Sequence, residues 1–312
     1  MQKLSGRCNG DFLILHGGAG VVDPKGPKLI AATEKLVEIC QRLSKKYAER
    51  AEISEEALCA DLASRALQHL EDDPLFNAGL GACLQEDGVV RLSAGLMNGI
   101  KQRFSGVINC EDIRHPSLMA QHLQNKENRV FSAPGVTALA KELGLPTVNN
   151  ITENRQKEWQ KALEEKKISG HDTVGVVIKI KNSLFAGTST GGLLNCPAGR
   201  VSDSASVAGN YASKYAAISA TGIGEEIIDD ALAARIECRV RDGLSLSESC
   251  EKSYLEAEKL KRQYGWISLS FAGEWGVYYL TNGMSFAVFD LQNNKVIFNS
   301  TSLTYSRKKI DA

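Results

Sequence analysis

Thr173 is the side chain here whose setting most suggests a nucleophile, in the run Gly170-His171-Asp172-Thr173-Val174-Gly175. It stands behind a short acidic residue and at the head of an apolar segment, a place where a chain can cut itself. A threonine hydroxyl is a weak nucleophile until a base sits beside it, and cleavage before Thr173 would turn the residue's own α-amine into that base. One residue would then carry both roles.

Other chemistries fit less well. Gly187-Thr188-Ser189-Thr190-Gly191 matches the GxSxG of a serine nucleophile elbow. Those enzymes place their histidine downstream of the serine, whereas His16, His69, His115, His122 and His171 all lie upstream. No HExxH, CxxC or similarly spaced cluster speaks for a catalytic metal. His16-Gly17-Gly18-Ala19-Gly20 lacks both GxGxxG spacing and the Lys-Ser/Thr of a phosphate loop, so alone it reads as a tight turn that lets backbone approach closely.

Composition narrows the classes further. Lys plus Arg equals Asp plus Glu at 37 each over 312 residues, so no positive excess argues for nucleic acid or an anionic membrane surface. The eight cysteines form no CxxC pair and read as buried free thiols. The N-terminal stretch up to Gly18 has only a very short apolar run, too brief for a signal segment or a membrane span, which sets the expectation of a cytoplasmic protein. On that expectation the glycosylation sequons Asn150-Ile151-Thr152 and Asn299-Ser300-Thr301 are chance matches.

The elements that must position Thr173 fall into two halves. Phe12 to Leu15 reads as a short buried strand running into the glycine cluster. Lys28 to Glu49 and Ser54 to Leu70 carry apolar residues at three- and four-residue spacing, predicting two amphipathic helices. Strand-like pieces follow around Val89 to Leu96 and Phe104 to Ile108, then helices near Pro116 to Gln124 and Pro134 to Leu143. From Asn149 to Gly170 the chain turns polar and charged, with one helix of little apolar surface, and reads as a linker. Beyond it a β-hairpin begins at Thr173, with strands at Val174 to Ile180 and Leu184 to Thr190. Two long helices over Glu225 to Arg241 and Ser245 to Gln263 precede strands at Trp266 to Phe271, Trp275 to Leu280, Ser285 to Asp290 and Lys295 to Phe298. Strands in each half, with helices gathered between them, favour two sheets packed face to face and flanked by helices, because each sheet must bury both faces.

Taken together and in order, these pieces resemble the threonine-dependent asparaginases and isoaspartyl peptidases of the N-terminal nucleophile hydrolases, relatives of the glycosylasparaginases and taspases. The matching residues are His16 to Gly20, Leu70 to Pro74 with Phe76 to Gly79, Met97 to Gly99, His171 to Gly175, Thr188 to Gly192, Gly199 to Val201 with Asp203-Ser204, and Ala220 to Gly222 with Gly224-Glu225. The resemblance implies an α+β fold, a single four-layer αββα domain over residues 1–312. It also implies self-cleavage of the Asp172-Thr173 bond into an α piece of 1–172 and a β piece of 173–312.

Site roles follow from the same resemblance. Thr173 is the nucleophile, Thr190 the hydroxyl that positions it, and Thr221, the Gly222 backbone and Asn77 the donors for the tetrahedral oxygen. Arg200 and Asp203 hold the α-carboxylate and α-ammonium of an aspartyl substrate. Backbone carbonyls of the Glu71, Phe76 and Gly79 loop resemble a structural sodium site; no cofactor is implied. The expected partner is a small-molecule or dipeptide substrate, with no nucleic acid or membrane, in a homodimer of αβ units. Against the family pattern, Ser202 stands where a glycine is usual, Ile223 where a polar residue is common, and Ser93 where many relatives carry aspartate. The expected activity is hydrolysis of L-asparagine or β-aspartyl peptides. A glycosylasparaginase-like or taspase-like hydrolase, and a relative impaired at Ser93, Ser202 and Ile223 that only binds, are the alternatives.

Overall fold

The structure, a computed structural model, describes residues 2–20, 23, 26–49, 53–170 and 172–302; His171 of the sequence motif lies outside them. Strands β1 (Gln2–Arg7) and β2 (Phe12–His16) lead into the long helices α1 (Pro27–Ala48) and α2 (Glu55–Glu71). Next come β3 (Leu92–Asn98), β4 (Arg103–Cys110), α3 (Pro116–Leu123), β5 (Val130–Ser132), α4 (Gly135–Glu142) and α5 (Glu153–Glu164). The second half holds β6 (Val174–Ile180), β7 (Ser183–Thr190), β8 (Asn210–Ala212), β9 (Ala216–Gly222), α6 (Gly224–Asp229), α7 (Leu232–Arg241) and α8 (Leu246–Lys259). It ends in β10 (Tyr264–Ser270), β11 (Glu274–Tyr279), β12 (Phe286–Asp290) and β13 (Lys295–Asn299).

The strands form two sheets, one of order β13-β12-β2-β6-β7-β3-β4-β5 and one of order β1-β11-β10-β9-β8. On α2 the helical spacing of Leu58, Leu62, Ala66 and Leu70, with Ala63 and Leu67, buries one stripe against Val174, Val176, Ile178 and Phe185 of the larger sheet. A second cluster, including Ile14, Val177, Ala186, Ala217, Ile267 and Val277, lies where the two sheets face each other. A third packs Ile218, Ala220 and Trp266 of the smaller sheet against Ile227, Ile236 and Leu246 of its helices. The protein is thus a mixed α/β fold of two sheets and flanking helices. No helix of the described residues is long and apolar enough to cross a membrane, and the eight cysteines are free, all but Cys238 buried.

Three expectations are corrected. The helix anticipated over Glu225 to Arg241 is two, α6 and α7, broken where Ala231 adopts φ 45. Asp230 causes the break: its carboxylate accepts from Tyr264 Oη at 2.7 Å and Arg262 Nε at 3.1 Å, which pins it to the start of β10. The strand expected over Val89 to Leu96 is displaced to Leu92–Asn98. The polar stretch from Asn149 to Gly170 is tied down: Thr152 caps α5, Arg155 Nε donates to the Gly81 carbonyl at 2.7 Å, and Ser169 and Leu194 exchange backbone hydrogen bonds of 3.2 and 2.7 Å.

The sheets approach so closely beneath Thr173 that position 175 has no room for a side chain. A methyl group on Gly175 would overlap Ser219 Oγ of β9 and His16 Nε2 of β2. Gly175→Ala should therefore cost about 1–3 kcal/mol of stability. Equilibrium urea unfolding checks it, and an unchanged midpoint would contradict the close approach.

Candidate active site

Side chains of a strand alternate between its two faces, and this alternation assembles the site. On β6, Val174, Val176 and Ile178 face α1 and α2, while Val177 faces the second sheet. Thr173, one residue before the strand, therefore points between the sheets. On β7, Phe185 faces the helices and Leu184 and Ala186 face the second sheet, which sends Thr188 and Thr190 inward. On β9, Ile218 and Ala220 face α6 to α8 and Ala217 faces the first sheet, so Ser219 and Thr221 point inward too. The β6–β7 register pairs Val174 with Ser189, and one further step sets Thr173 opposite Thr190.

At that junction the hydroxyls meet. Thr173, only 6% exposed, donates from Oγ1 to Thr190 Oγ1 at 3.4 Å and has Ser204 Oγ at 3.3 Å. Its backbone N–H donates to Thr221 Oγ1 at 3.2 Å. Thr190 Oγ1 also accepts from Gly192 N at 3.1 Å, and the Gly192 carbonyl takes a 2.7 Å bond from Asn77 Nδ2. Asn77 Oδ1 in turn accepts from Cys83 N at 2.8 Å. Asn77 thus holds the loop that follows Thr190, and Gly222, at φ 135, ends β9 beside Thr221. Ahead of Thr173, Asp172 Oδ1 accepts from Gly20 N at 3.0 Å. Gly18, at φ 116, comes so close that a methyl there would sit 2.5 Å from the same oxygen, so the glycine cluster cradles the residue before the nucleophile candidate.

Arg200 and Asp203 converge from a second direction. A methyl on Gly224 would lie 2.7 Å from Asp203 Oδ1 and 3.3 Å from Arg200 Nη2, and one on Gly192 would lie 3.9 Å from Arg200 Nη1. Arg200 pairs in two-pronged fashion with Glu225, Nε to Oε1 and Nη2 to Oε2, both at 2.7 Å. Asp203 is buried, and its Oδ2 has no hydrogen-bond partner among the described residues. Burial pushes its carboxyl up to about 7, against the pull of its own backbone amide and of Arg200. Among the described residues no group of three or more His, Cys, Asp or Glu is arranged to hold a metal ion.

The sequence profile of the asparaginase family matches residues 9–298. The chain belongs to the asparaginase family. It is 42% identical over 284 residues to the isoaspartyl peptidase/L-asparaginase of Nostoc, covering 85% of this chain and 87% of that one. Likeness to the protein of the same name in Synechocystis is 40% over 282 residues, 85% and 84% of the two chains. The plant-type L-asparaginase of Pyrococcus horikoshii is 31% identical over 300 residues, 88% and 95% of the two chains. The chain is accordingly an amidohydrolase.

Within this asparaginase-family enzyme the three departures sit without strain. Ser202 is extended, φ -122 and ψ -169, so it needs no glycine there. Ile223 caps α6 and donates its N–H to the Gln263 carbonyl at 3.0 Å. Ser93 lies opposite Thr190 on β3, and its Oγ accepts from Asn109 N at 3.1 Å. The serine of the GxSxG match, Ser189, faces the other way and donates to Glu71 Oε1 at 2.7 Å. Burial pushes Glu71 up to about 8 although Ser189 and Ser117 donate to it, so it is a neutral acid near pH 7.

Three contributors escaped the sequence reading. Glu225 was visible only as part of a motif, and its pairing with Arg200 crosses from one loop to the start of α6. His16 Nε2 meets Ser219 Oγ at 2.9 Å below the site, and burial lowers its pKa to about 3, so it stays neutral. Ser204 reaches Thr173 only because the loop after Arg200 folds back. Ser204→Ala removes one hydroxyl partner of Thr173 and should lower turnover about three- to tenfold with the fold intact. Steady-state kinetics beside a circular dichroism spectrum check this, and unchanged kcat would separate Ser204 from the reaction.

Proposed function

We propose that this chain is an autoprocessed amidohydrolase that releases aspartate from L-asparagine, from β-aspartyl peptides, or from both, with Thr173 as its nucleophile. The observation that carries the reading is the set of three contacts at Thr173: its hydroxyl meets those of Thr190 and Ser204, and its nitrogen donates to Thr221. In self-cleavage Thr173 Oγ1 adds to the Asp172 carbonyl carbon, the C–N bond breaks as the nitrogen takes the hydroxyl proton, and water opens the resulting ester. Residues 1–172 and 173–312 are then the two pieces. The freed amine, with a reference pKa of about 7.7–8.0, is neutral in part near pH 7. An N–H donated to Thr221 leaves the nitrogen lone pair free to take the Oγ1 proton.

With substrate the same oxygen adds to the side-chain amide carbon. Ammonia or the peptide amine leaves with the proton, and water resolves the aspartyl ester. Arg200 suits the substrate α-carboxylate, displacing the exposed Glu225, and Asp203 suits the α-ammonium. Thr221, the Gly222 backbone and Asn77 are the candidates for steadying the tetrahedral oxygen. In the same reading the layers form the αββα sandwich of N-terminal nucleophile hydrolases, two αβ units pair as a homodimer, and the free thiols suit the cytoplasm. Carbonyls of Glu71, Phe76 and Gly79 are candidates to hold a structural sodium ion. Phe76 and Pro74 turn theirs onto Gly81 so closely that a side chain there would fill the space between them.

Ammonia release from asparagine and aspartate release from a β-aspartyl dipeptide test the assignment. Wild-type protein should turn over at least one of them and Thr173→Ala neither; an active Thr173→Ala would overturn the nucleophile. Asp203 must be ionised to pair with an ammonium and is neutral below its pKa of about 7. KM should therefore fall as pH rises through about 7. Asp203→Asn, unable to ionise, should raise KM about tenfold or more and lose that dependence. A wild-type KM flat from pH 6 to 8 would remove Asp203 from ammonium binding.

A further inference from the structure

Arg200 follows Gly199, a residue at φ 81 where an added methyl would meet nothing within 4 Å. Glycine has the widest backbone freedom of any residue, so hydrogen bonds must decide from where Arg200 extends. The Arg200 N–H only turns back on its own loop, to the Pro197 carbonyl at 3.1 Å, and Ala198 N reaches the exposed Glu86 Oε1 at 3.2 Å. Gly199 is tied from two sides. Its N–H donates to Gln85 Oε1 at 2.9 Å, and its carbonyl accepts from Asn109 Nδ2 at 3.0 Å.

Each partner is itself held. Gln85 is buried ahead of β3, and its Oε1 also accepts from Arg91 Nη1 at 2.7 Å. Arg91 is fixed in turn by Asp87, through Nη1 and Nη2 at 3.0 and 2.8 Å, and by Glu111, through Nε at 2.7 Å. Asn109 sits at a β-bulge, where the pairing of β3 with β4 shifts between Leu92 and Ala94. There it adopts φ 53, and its N–H donates to Ser93 Oγ at 3.1 Å. A bulge at the rim of a sheet re-aims a side chain, and this one sends Asn109 across to the loop of Arg200. Because Ser93 pairs with Thr190 of β7, the tie is built on the register that also carries the hydroxyls.

We propose that Asn109 and Gln85 are positioning residues that set the affinity for the substrate α-carboxylate, by fixing the backbone from which Arg200 extends. The inference rests on the reading of Arg200 as the carboxylate-binding group. Neither side chain has to touch substrate. With Gly199 tied on both of its backbone polar groups, the guanidinium is held in place before the ligand arrives. Without the tie the loop must be ordered at each binding event, a cost that falls on binding rather than on bond-making.

Steady-state kinetics of the full chain with L-asparagine or a β-aspartyl dipeptide, whichever it turns over, tests the tie. Asn109→Gly keeps a residue at ease at positive φ and removes only the side chain. It should raise KM about five- to tenfold with kcat within about twofold. Gln85→Met, which removes the acceptor, should do the same, while Gln85→Glu, which keeps an oxygen for Gly199 and Arg91, should stay within about twofold of the wild-type KM. Arg200→Gln should raise KM about tenfold or more. Adding Asn109→Gly to Arg200→Gln should change KM no further, because the arginine it positions is gone; a merely structural role would add its factor in both backgrounds. Should Gln85→Met fail to fold, the Asn109 and Arg200 cycle decides alone. Unchanged KM in Asn109→Gly, its full effect repeated in the Arg200→Gln background, or Gln85→Glu as impaired as Gln85→Met would overturn the inference while leaving Arg200 in its role. Unchanged KM in Arg200→Gln would overturn that role and the inference together.

Discussion

The alternation of side chains along β6, β7 and β9 is the constraint on which the site depends. Thr173, Thr190 and Thr221 share no sequence neighbourhood, yet each falls on the inward face of its strand, at the mouth of the space between two sheets. The apolar residues that enforce this are their neighbours. Val174 and Val176 must face α2, Ala186 and Ala217 must face the opposite sheet, and the hydroxyls follow. A slip of one residue in β6 would exchange the two faces, directing Thr173 into the helices and exposing Val174 to Thr221. The hydrophobic core therefore sets the register of the chemistry.

Burial sets the charge state of the groups around it. Glu71 beneath Ser189 and His16 beneath Ser219 are both held neutral by removal from water, which leaves the Asp172 carboxylate ahead of Thr173 and the Arg200, Asp203 and Glu225 group as the ionisable groups that the described residues bring to the hydroxyls. The pairing of Arg200 with Glu225 is lopsided: the arginine side chain is 12% exposed and the glutamate 56%, so the glutamate can swing into water while the arginine stays in place. In the proposed reaction a substrate carboxylate takes over that two-pronged edge, and the oxygen of Asp203 without a hydrogen-bond partner among the described residues meets the substrate ammonium.

Much of this was legible in the residues. The spacing of Leu58, Leu62 and Ala66 announced α2, the β-branched run after Thr173 announced β6, and the placement of Thr190 opposite Thr173 follows from a tight hairpin. What escaped has physical causes. β9 is built from Ala, Ser, Ile, Thr and Gly, a composition with little strand signal, and its place beside β10 is decided by packing against α7 and α8. The break at Ala231 depends on Asp230 reaching Arg262 and Tyr264, some thirty positions onward, which no local periodicity carries. Ser204 and Ser219 gain their roles through contacts between strands and loops far apart in sequence, and a serine in isolation has no feature that foretells them.

The proposed chemistry depends on the Thr173 nitrogen becoming a free amine beside its own hydroxyl. Denaturing mass spectrometry of purified, active wild-type protein measures this directly. Two chains should appear, one ending at Asp172 and one beginning at Thr173. Active material that is a single continuous chain of 312 residues would contradict it.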